Sequence, residues 1–228
     1  MPIVRVGSSL VYYAHVPKCA GSSVEDYLAQ RFGPLAFLNR DYRKTALPKR
    51  WTRTSPQHID TEALDLLFPK EFLAASFAVV RHPAARLRSA FTFQKARRHI
   101  PLRMGFEAWL SLYERQRDKD PFLLDNHLRP MTDFVPEEAH VFRMEEGLEA
   151  VVAWCDAQAG NTDGPREIPR SNKTDEAVWA SRTPWKQWIR SRLEVGMPTL
   201  DEALCARIHG LYKVDYDRFG YEPFDPIR

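Results

Sequence analysis

The run His15-Val-Pro-Lys18-Cys19-Ala20-Gly21-Ser22-Ser23 combines a lysine with a string of small residues just after an apolar segment. A small-residue turn that opens a helix makes an anion cradle. Its backbone N–H groups point outward, the helix dipole adds partial positive charge, and glycine permits close approach. Ser22 and Ser23 would add hydroxyl donors, and Lys18 a full charge on a flexible arm. The lysine precedes the glycine, whereas a Walker A loop has it after, which argues against an ordinary nucleoside triphosphatase. A second candidate is Arg81, at the end of another apolar run, with Ser89 further along the segment that follows. A guanidinium presents a planar fork of donors suited to phosphate. Seven histidines supply candidates for a base that works near neutral pH.

Positioning these groups falls to alternating strands and helices. Leu10–His15 and Ala75–Val80 are apolar and β-branched or aromatic enough to be buried strands, and His140–Met144 reads as a third. Helices are expected over about 24–31, 61–68, 84–98, 106–117, 148–157 and 201–218. Thr61 is the expected N-cap of the second, Pro83 sits in the first turn of the third, and Glu25 and Asp26 suit the opening of the first. Residues 33–57 are basic, proline-containing and irregular, as in a surface loop, and 160–170 is turn-rich. This order implies one α/β domain over residues 1–228, a parallel sheet flanked by helices and P-loop-like in outline. Ligands of such sheets sit beyond the carboxyl ends of the strands, where both anion motifs fall.

Bulk properties narrow the classes. The 228 residues suit a single core, and a net charge of +3 is too small to argue for nucleic acid. The basic residues cluster, however, at Arg40, Arg43, Lys44, Lys49, Arg50 and Arg53 and again at Lys95, Arg97, Arg98 and Arg103. Such fields suit small or polymeric anions, or simply solvated faces. Three cysteines without metal-ligand spacing suggest a reducing compartment. Met1–Gly7 carries no signal-peptide run, and no apolar stretch spans a membrane. A bacterial cytoplasmic protein fits these features.

The loop from His15 to Ser23 resembles the 5'-phosphosulfate loop of the sulfotransferase 2 family, written His-Ile-Pro-Lys-Thr-Ala-Gly-Thr-Ser. Cys19 stands for the usual threonine and Ser22 for the second one. Arg81-His-Pro-Ala-Ala-Arg86-Leu-Arg-Ser89-Ala-Phe91 resembles the family's 3'-phosphate segment, with His82 where Asn or Asp is common. Looser landmarks follow at His127-Leu-Arg-Pro-Met131, Val141-Phe-Arg-Met-Glu145, Ile168-Pro-Arg-Ser-Asn172 and Tyr216-Asp-Arg-Phe-Gly-Tyr221, so the likeness spans residues 10–221.

The resemblance implies a sulfotransferase fold and transfer of a sulfuryl group from 3'-phosphoadenosine 5'-phosphosulfate to a hydroxyl of a glycan or related acceptor. Lys18, Cys19, Ala20, Gly21, Ser22 and Ser23 would hold the 5' end of the donor, and Arg81 with Ser89 its 3'-phosphate. Lys18 would offset charge on the bridging oxygen. His58, in Ser55-Pro-Gln-His58-Ile, would be the base, with His127 the second candidate. His15 is expected to be structural, and Arg86 to reach the ligand or form an intrahelical or surface salt bridge. The tryptophans are expected mainly in the core, and no metal is expected. The alternatives are a nucleotide-dependent kinase and a catalytically silent nucleotide- or polyanion-binding protein of the same fold.

Overall fold

Two parallel strands carry the anion motifs side by side. The computed structural model describes residues 1–169, 196 and 199–223. Its sheet has the order β1 (Ile3–Val6), β2 (Ser9–Ala14), β3 (Ala75–Val80), β4 (His140–Arg143). β2 and β3 run parallel with Ala14 opposite Ala78, and β3 and β4 run parallel with Val80 opposite Arg143. The ends of β2 and β3 are therefore neighbours, so the loops that follow them share one edge of the sheet. Val11–Ala14 and Phe77–Val80 are wholly buried, which explains their unbroken apolar sequence. Tyr13 stacks on Phe77 at 4.9 Å, and Phe77 meets Trp154 at 4.8 Å. Truncating Phe77 to alanine should cost about 3–5 kcal/mol.

The expected parallel sheet is formed by β2, β3 and β4, and β1 adds one antiparallel edge. β1 pairs antiparallel with β2 through a hairpin at Gly7, whose φ is +58°. A four-residue strand interrupted by Arg5 is too short for periodicity to reveal.

Among the described residues the helices are α1 (Gly21–Phe32), α2 (Thr61–Leu67), α3 (Pro83–Ala96), α4 (Phe106–Gln116), α5 (Glu149–Ala159), α6 (Glu202–Leu211) and α7 (Lys213–Phe219). α1 starts at Gly21, earlier than the expected Val24, so Glu25 lies beyond its first turn. Asp60, not Thr61, caps α2, its Oδ1 accepting from the Ala63 amide at 2.9 Å. The expected 201–218 helix is two helices that meet at Tyr212. His82 caps α3 as the variant residue of that segment, its Nδ1 accepting from Ala84 N–H at 3.3 Å.

The 33–57 segment is a surface loop only in its first part. Tyr42 and residues 54–57 are buried, and Ala36 bridges to Ile3. Half of its cations hold the loop together: Arg40 pairs with Asp26 at 2.6 Å, Lys44 with Asp41 at 2.6 Å, and Arg50 donates to the carbonyls of Thr45 and Arg43. Among the tryptophans, Trp109 is buried and Trp154 packs against the core, whereas Trp51 is exposed. Trp179, Trp185 and Trp188 lie outside the described residues, as do Arg170, Ser171 and Asn172 of one sequence landmark.

Candidate active site

The loop after β2 is held in a costly backbone shape. Lys18 and Ala20 have φ of 70° and 61°, left-handed values that disfavour any residue with a Cβ by about 1–2 kcal/mol each. Ala20 is the N-cap of α1 and supplies no side-chain hydrogen bond, and no acidic residue occupies the helix's first turn. A helix start without a side-chain cap or a first-turn carboxylate has the polarity of an anion site. Cys19 is fully buried. Its Sγ faces the Pro17 carbonyl at 3.7 Å and Met131 Sδ at 4.0 Å, and burial pushes the thiol up to about 12. Its side chain therefore points into the core, and only its backbone remains for a ligand. A cysteine is tolerated here because the position is apolar.

Gly21 serves a purpose the sequence did not reveal. A Cβ on Gly21 would fall within 2.6 Å of Nε2, Cε1 and Cδ2 of His15. The space beside this glycine is filled by an imidazole, not kept open for the ligand. His15 is structural, as expected: its Nδ1 pairs with the buried Glu25 carboxylate on α1. Burial disfavours the Glu25 anion, but His15 and Arg40 outweigh that and hold its pKa below the usual carboxylate value.

A row of rings runs from His15 to the lysine. His15 meets His58 edge-on at 4.8 Å, His58 meets His127 at 5.1 Å, and His127 meets Phe93 at 5.4 Å. Lys18 Nζ sits 4.0 Å from the centroid of Phe93, with the Arg97 guanidinium 5.5 Å from the same centroid. Both histidine candidates for the base are therefore in one site with Lys18. Burial, followed by the charge of Arg81, brings the Lys18 pKa down to about 8. Arg81 follows β3, and the half-buried Ser89 lies on α3. The cations gather without a carboxylate to neutralise Lys18 or Arg81 among the described salt bridges, which leaves surplus charge for an anion.

His58 is 7% exposed, and its Nδ1 lies 2.9 Å from Asp125 Oδ2. Burial lowers its pKa and His15 adds to that, whereas Asp125 works in the opposite direction. His127 is pushed well below the ordinary histidine value by burial, by His58 and by Lys18. Asp125 also accepts from the Ser55 amide at 2.6 Å and the Ser55 hydroxyl at 2.8 Å. Burial opposes its ionisation, but His58 and Ser55 hold it well below the usual carboxylate range. Leu124, Asp125 and Asn126 have φ of 55°, 63° and 63°, a run of left-handed residues without a glycine. The cost is greatest at Leu124, since Asp and Asn tolerate this region better, and the bonds of Asp125 and of Asn126 Nδ2 hold the run in place.

Arg86 is neither a ligand arm nor a surface residue, which corrects the expectation. It is 1% exposed and donates to the carbonyls of Pro17 at 3.0 Å, Arg129 at 2.7 Å and His127 at 3.1 Å. It thus ties the loop after β2 to the segment bearing His127. Asp215 fixes the same segment by accepting from the amides of Met131 and Thr132, both at 2.9 Å. The landmark residues near the end of the chain act as clamps too: Arg143 donates to Phe219 and Gly220 carbonyls, and Tyr221 to Glu145.

Asp125, Phe93 and the tethering role of Arg86 were not visible in the sequence. The one available signal was the Asp125-Asn-His127 adjacency. Among the described residues, His58, Asp125 and His127 form the group with metal-ligand chemistry, their ligand atoms lying within 4.8 Å of one another. Asp125 already serves His58 and Ser55, and Arg43 stands 3.6 Å from its other oxygen. That arrangement is a histidine–carboxylate pair beside a second ring, with cations around it. No described helix is long and apolar enough to cross a membrane.

Residues 2–222 match the family model described as "Sulfotransferase family". No curated protein and no solved structure matches the chain.

Proposed function

Because the chain belongs to the sulfotransferase family and is a transferase by that membership, we propose that it moves a sulfuryl group from 3'-phosphoadenosine 5'-phosphosulfate to a hydroxyl, with a glycan or related molecule as acceptor. The observation that carries this reading is the row from His58 through His127 and Phe93 to Lys18, beside the uncapped start of α1. It combines clustered positive charge, a helix N-terminus without a side-chain cap and a histidine whose burial favours its neutral form within one site.

Sulfuryl transfer is an in-line displacement in which positioning and charge stabilisation supply most of the rate. The amides and hydroxyls of Gly21, Ser22 and Ser23 orient the 5'-phosphosulfate, and Arg81 with Ser89 holds the 3'-phosphate. The acceptor oxygen attacks sulfur while the bond from sulfur to the bridging oxygen breaks. Lys18 leaves its rest on Phe93 and offsets the charge that grows on that oxygen. His58 takes the hydroxyl proton, and His127, kept neutral by its surroundings, lines the acceptor side. Arg43, beside Asp125, and Arg53, 4.3 Å over the Phe122 ring, favour an anionic acceptor. The reducing interior of a cell suits three free cysteines.

Formation of the desulfated 3',5'-bisphosphate from the labelled donor, with a mixture of chemically desulfated glycosaminoglycans as acceptor, tests the reading. Lys18→Ala should abolish it with the fold intact, and His58→Ala should lower it ~10²-fold or more while sparing donor affinity. Normal turnover in Lys18→Ala would overturn the mechanism.

A further inference from the structure

The left-handed run at Leu124, Asp125 and Asn126 needs a reason, since no glycine relieves it. Each of its polar side chains that is bonded reaches the segment around His58. Asp125 accepts from Ser55 and faces Nδ1 of His58, and the buried Asn126 donates through Nδ2 to the His58 carbonyl at 2.9 Å. An ionised carboxylate only accepts hydrogen bonds, so the His58 nitrogen that faces it must be the donor.

We propose that Asp125 is the positioning residue of the base: the strained turn delivers its carboxylate to Nδ1–H of His58, which fixes the tautomer and leaves the Nε2 lone pair for the acceptor proton. The inference rests on His58 being the base. In the transfer step the acceptor proton moves to Nε2, and the O–H electron pair forms the new O–S bond. The pair of the broken S–O bond leaves with the bisphosphate. Asp125 stays ionised throughout and stabilises the imidazolium by charge. His58 is faced also by His15, by His127 and by the Met1 amine that donates to the Pro56 carbonyl, and Asp125 by Arg43. Lys18 and Arg86 act on the group through His127.

Asp125→Asn separates this role from simple packing. The Ser55 amide requires an oxygen, so the new side chain keeps Oδ1 there and turns its NH₂ toward His58. The histidine must then accept at Nδ1 and carry its proton on Nε2, the tautomer that cannot act as base. Protein with ¹⁵N-labelled histidine and bound bisphosphate product, read by two-bond ¹H–¹⁵N spectra with His58→Ala for assignment, reports this directly. The wild type should show Nδ1 protonated and Nε2 bare, and Asp125→Asn the reverse. Bisphosphate formation in Asp125→Asn should fall ~10²-fold or more with product affinity unchanged, and the remaining acidic limb should move to lower pH. Adding His58→Ala should cost nothing further. A wild-type His58 protonated on Nε2 would overturn the proposal without any variant, and so would Asp125→Asn at the wild-type rate when His58→Ala is slow. Undiminished turnover in His58→Ala would instead overturn the base assignment, and the role of Asp125 with it.

Discussion

Replacing Gly21 by alanine probes the join between the phosphate loop and the histidine row. The added methyl would lie within 2.6 Å of three atoms of the His15 ring, against the ~3.5–4.0 Å of ordinary carbon contacts. The ring cannot swing aside freely, because Glu25 holds Nδ1 and Tyr13 and His58 flank it at 5.8 and 4.8 Å. Overpacking of this kind costs about 1–3 kcal/mol. Displacing His15 also weakens a buried pair whose full loss costs about 3–5 kcal/mol, although Arg40 remains 3.2 Å from Glu25. Gly21 is the first residue of α1, so the helix-interior preference for alanine offsets little of this. A net loss of about 2–4 kcal/mol follows, which lowers Tm by roughly 4–16 °C in a domain of this size. Differential scanning calorimetry of Gly21→Ala, His15→Ser and the double variant is the assay; His15→Ser should cost less in the Gly21→Ala background than alone. A Gly21→Ala variant as stable as the wild type would refute the packing role of Gly21.

Arg81→Ala should weaken binding of 3'-phosphoadenosine 5'-phosphate by about 10- to 100-fold, the worth of a charged hydrogen-bonded contact, and leave adenosine 5'-monophosphate nearly unaffected; equal losses would remove Arg81 from the 3' site. The depressed pKa of Lys18 makes donor affinity pH-dependent. Below about 8 the lysine is already charged and affinity should be flat, whereas above it binding must take up a proton and should weaken by up to tenfold per pH unit. The unliganded protein should respond in the opposite sense. The unfolded chain holds the Lys18 proton up to 10.5 and the folded one only to about 8, so this group makes stability rise with pH across that window. Binding titrations and denaturant unfolding of the unliganded protein at pH 7 and 9, on wild type and Lys18→Ala, check both slopes, which the variant should lack.

Elements with one dominant local signal were readable in the sequence. β2 and β3 are unbroken apolar runs, and Pro83 after Arg81 marks the start of α3. The turn from Lys18 to Ser23 into α1 and the strand end at Arg81 are readable as local structure for the same reason: their signals lie in adjacent residues. The start of α1 was misjudged because Gly21 and the serines are weak helix formers, and the helix begins there on tertiary grounds. Asp60 displaced Thr61 as a cap through one hydrogen bond that no spacing distinguishes. Asp125 was hidden because its partner His58 lies far away in sequence and a left-handed run without glycine is not expected. Arg86 was mistaken for a surface group because its exposure depends on the 127–129 carbonyls that fold over it.

The donor is the centre of the proposed chemistry, and calorimetric titration with 3'-phosphoadenosine 5'-phosphate beside ATP with magnesium tests it most directly. A site built from Lys18, the loop to Ser23, Arg81 and Ser89 should bind the bisphosphate with one-to-one stoichiometry and at least tenfold more tightly than ATP. Equal or tighter binding of ATP would contradict it.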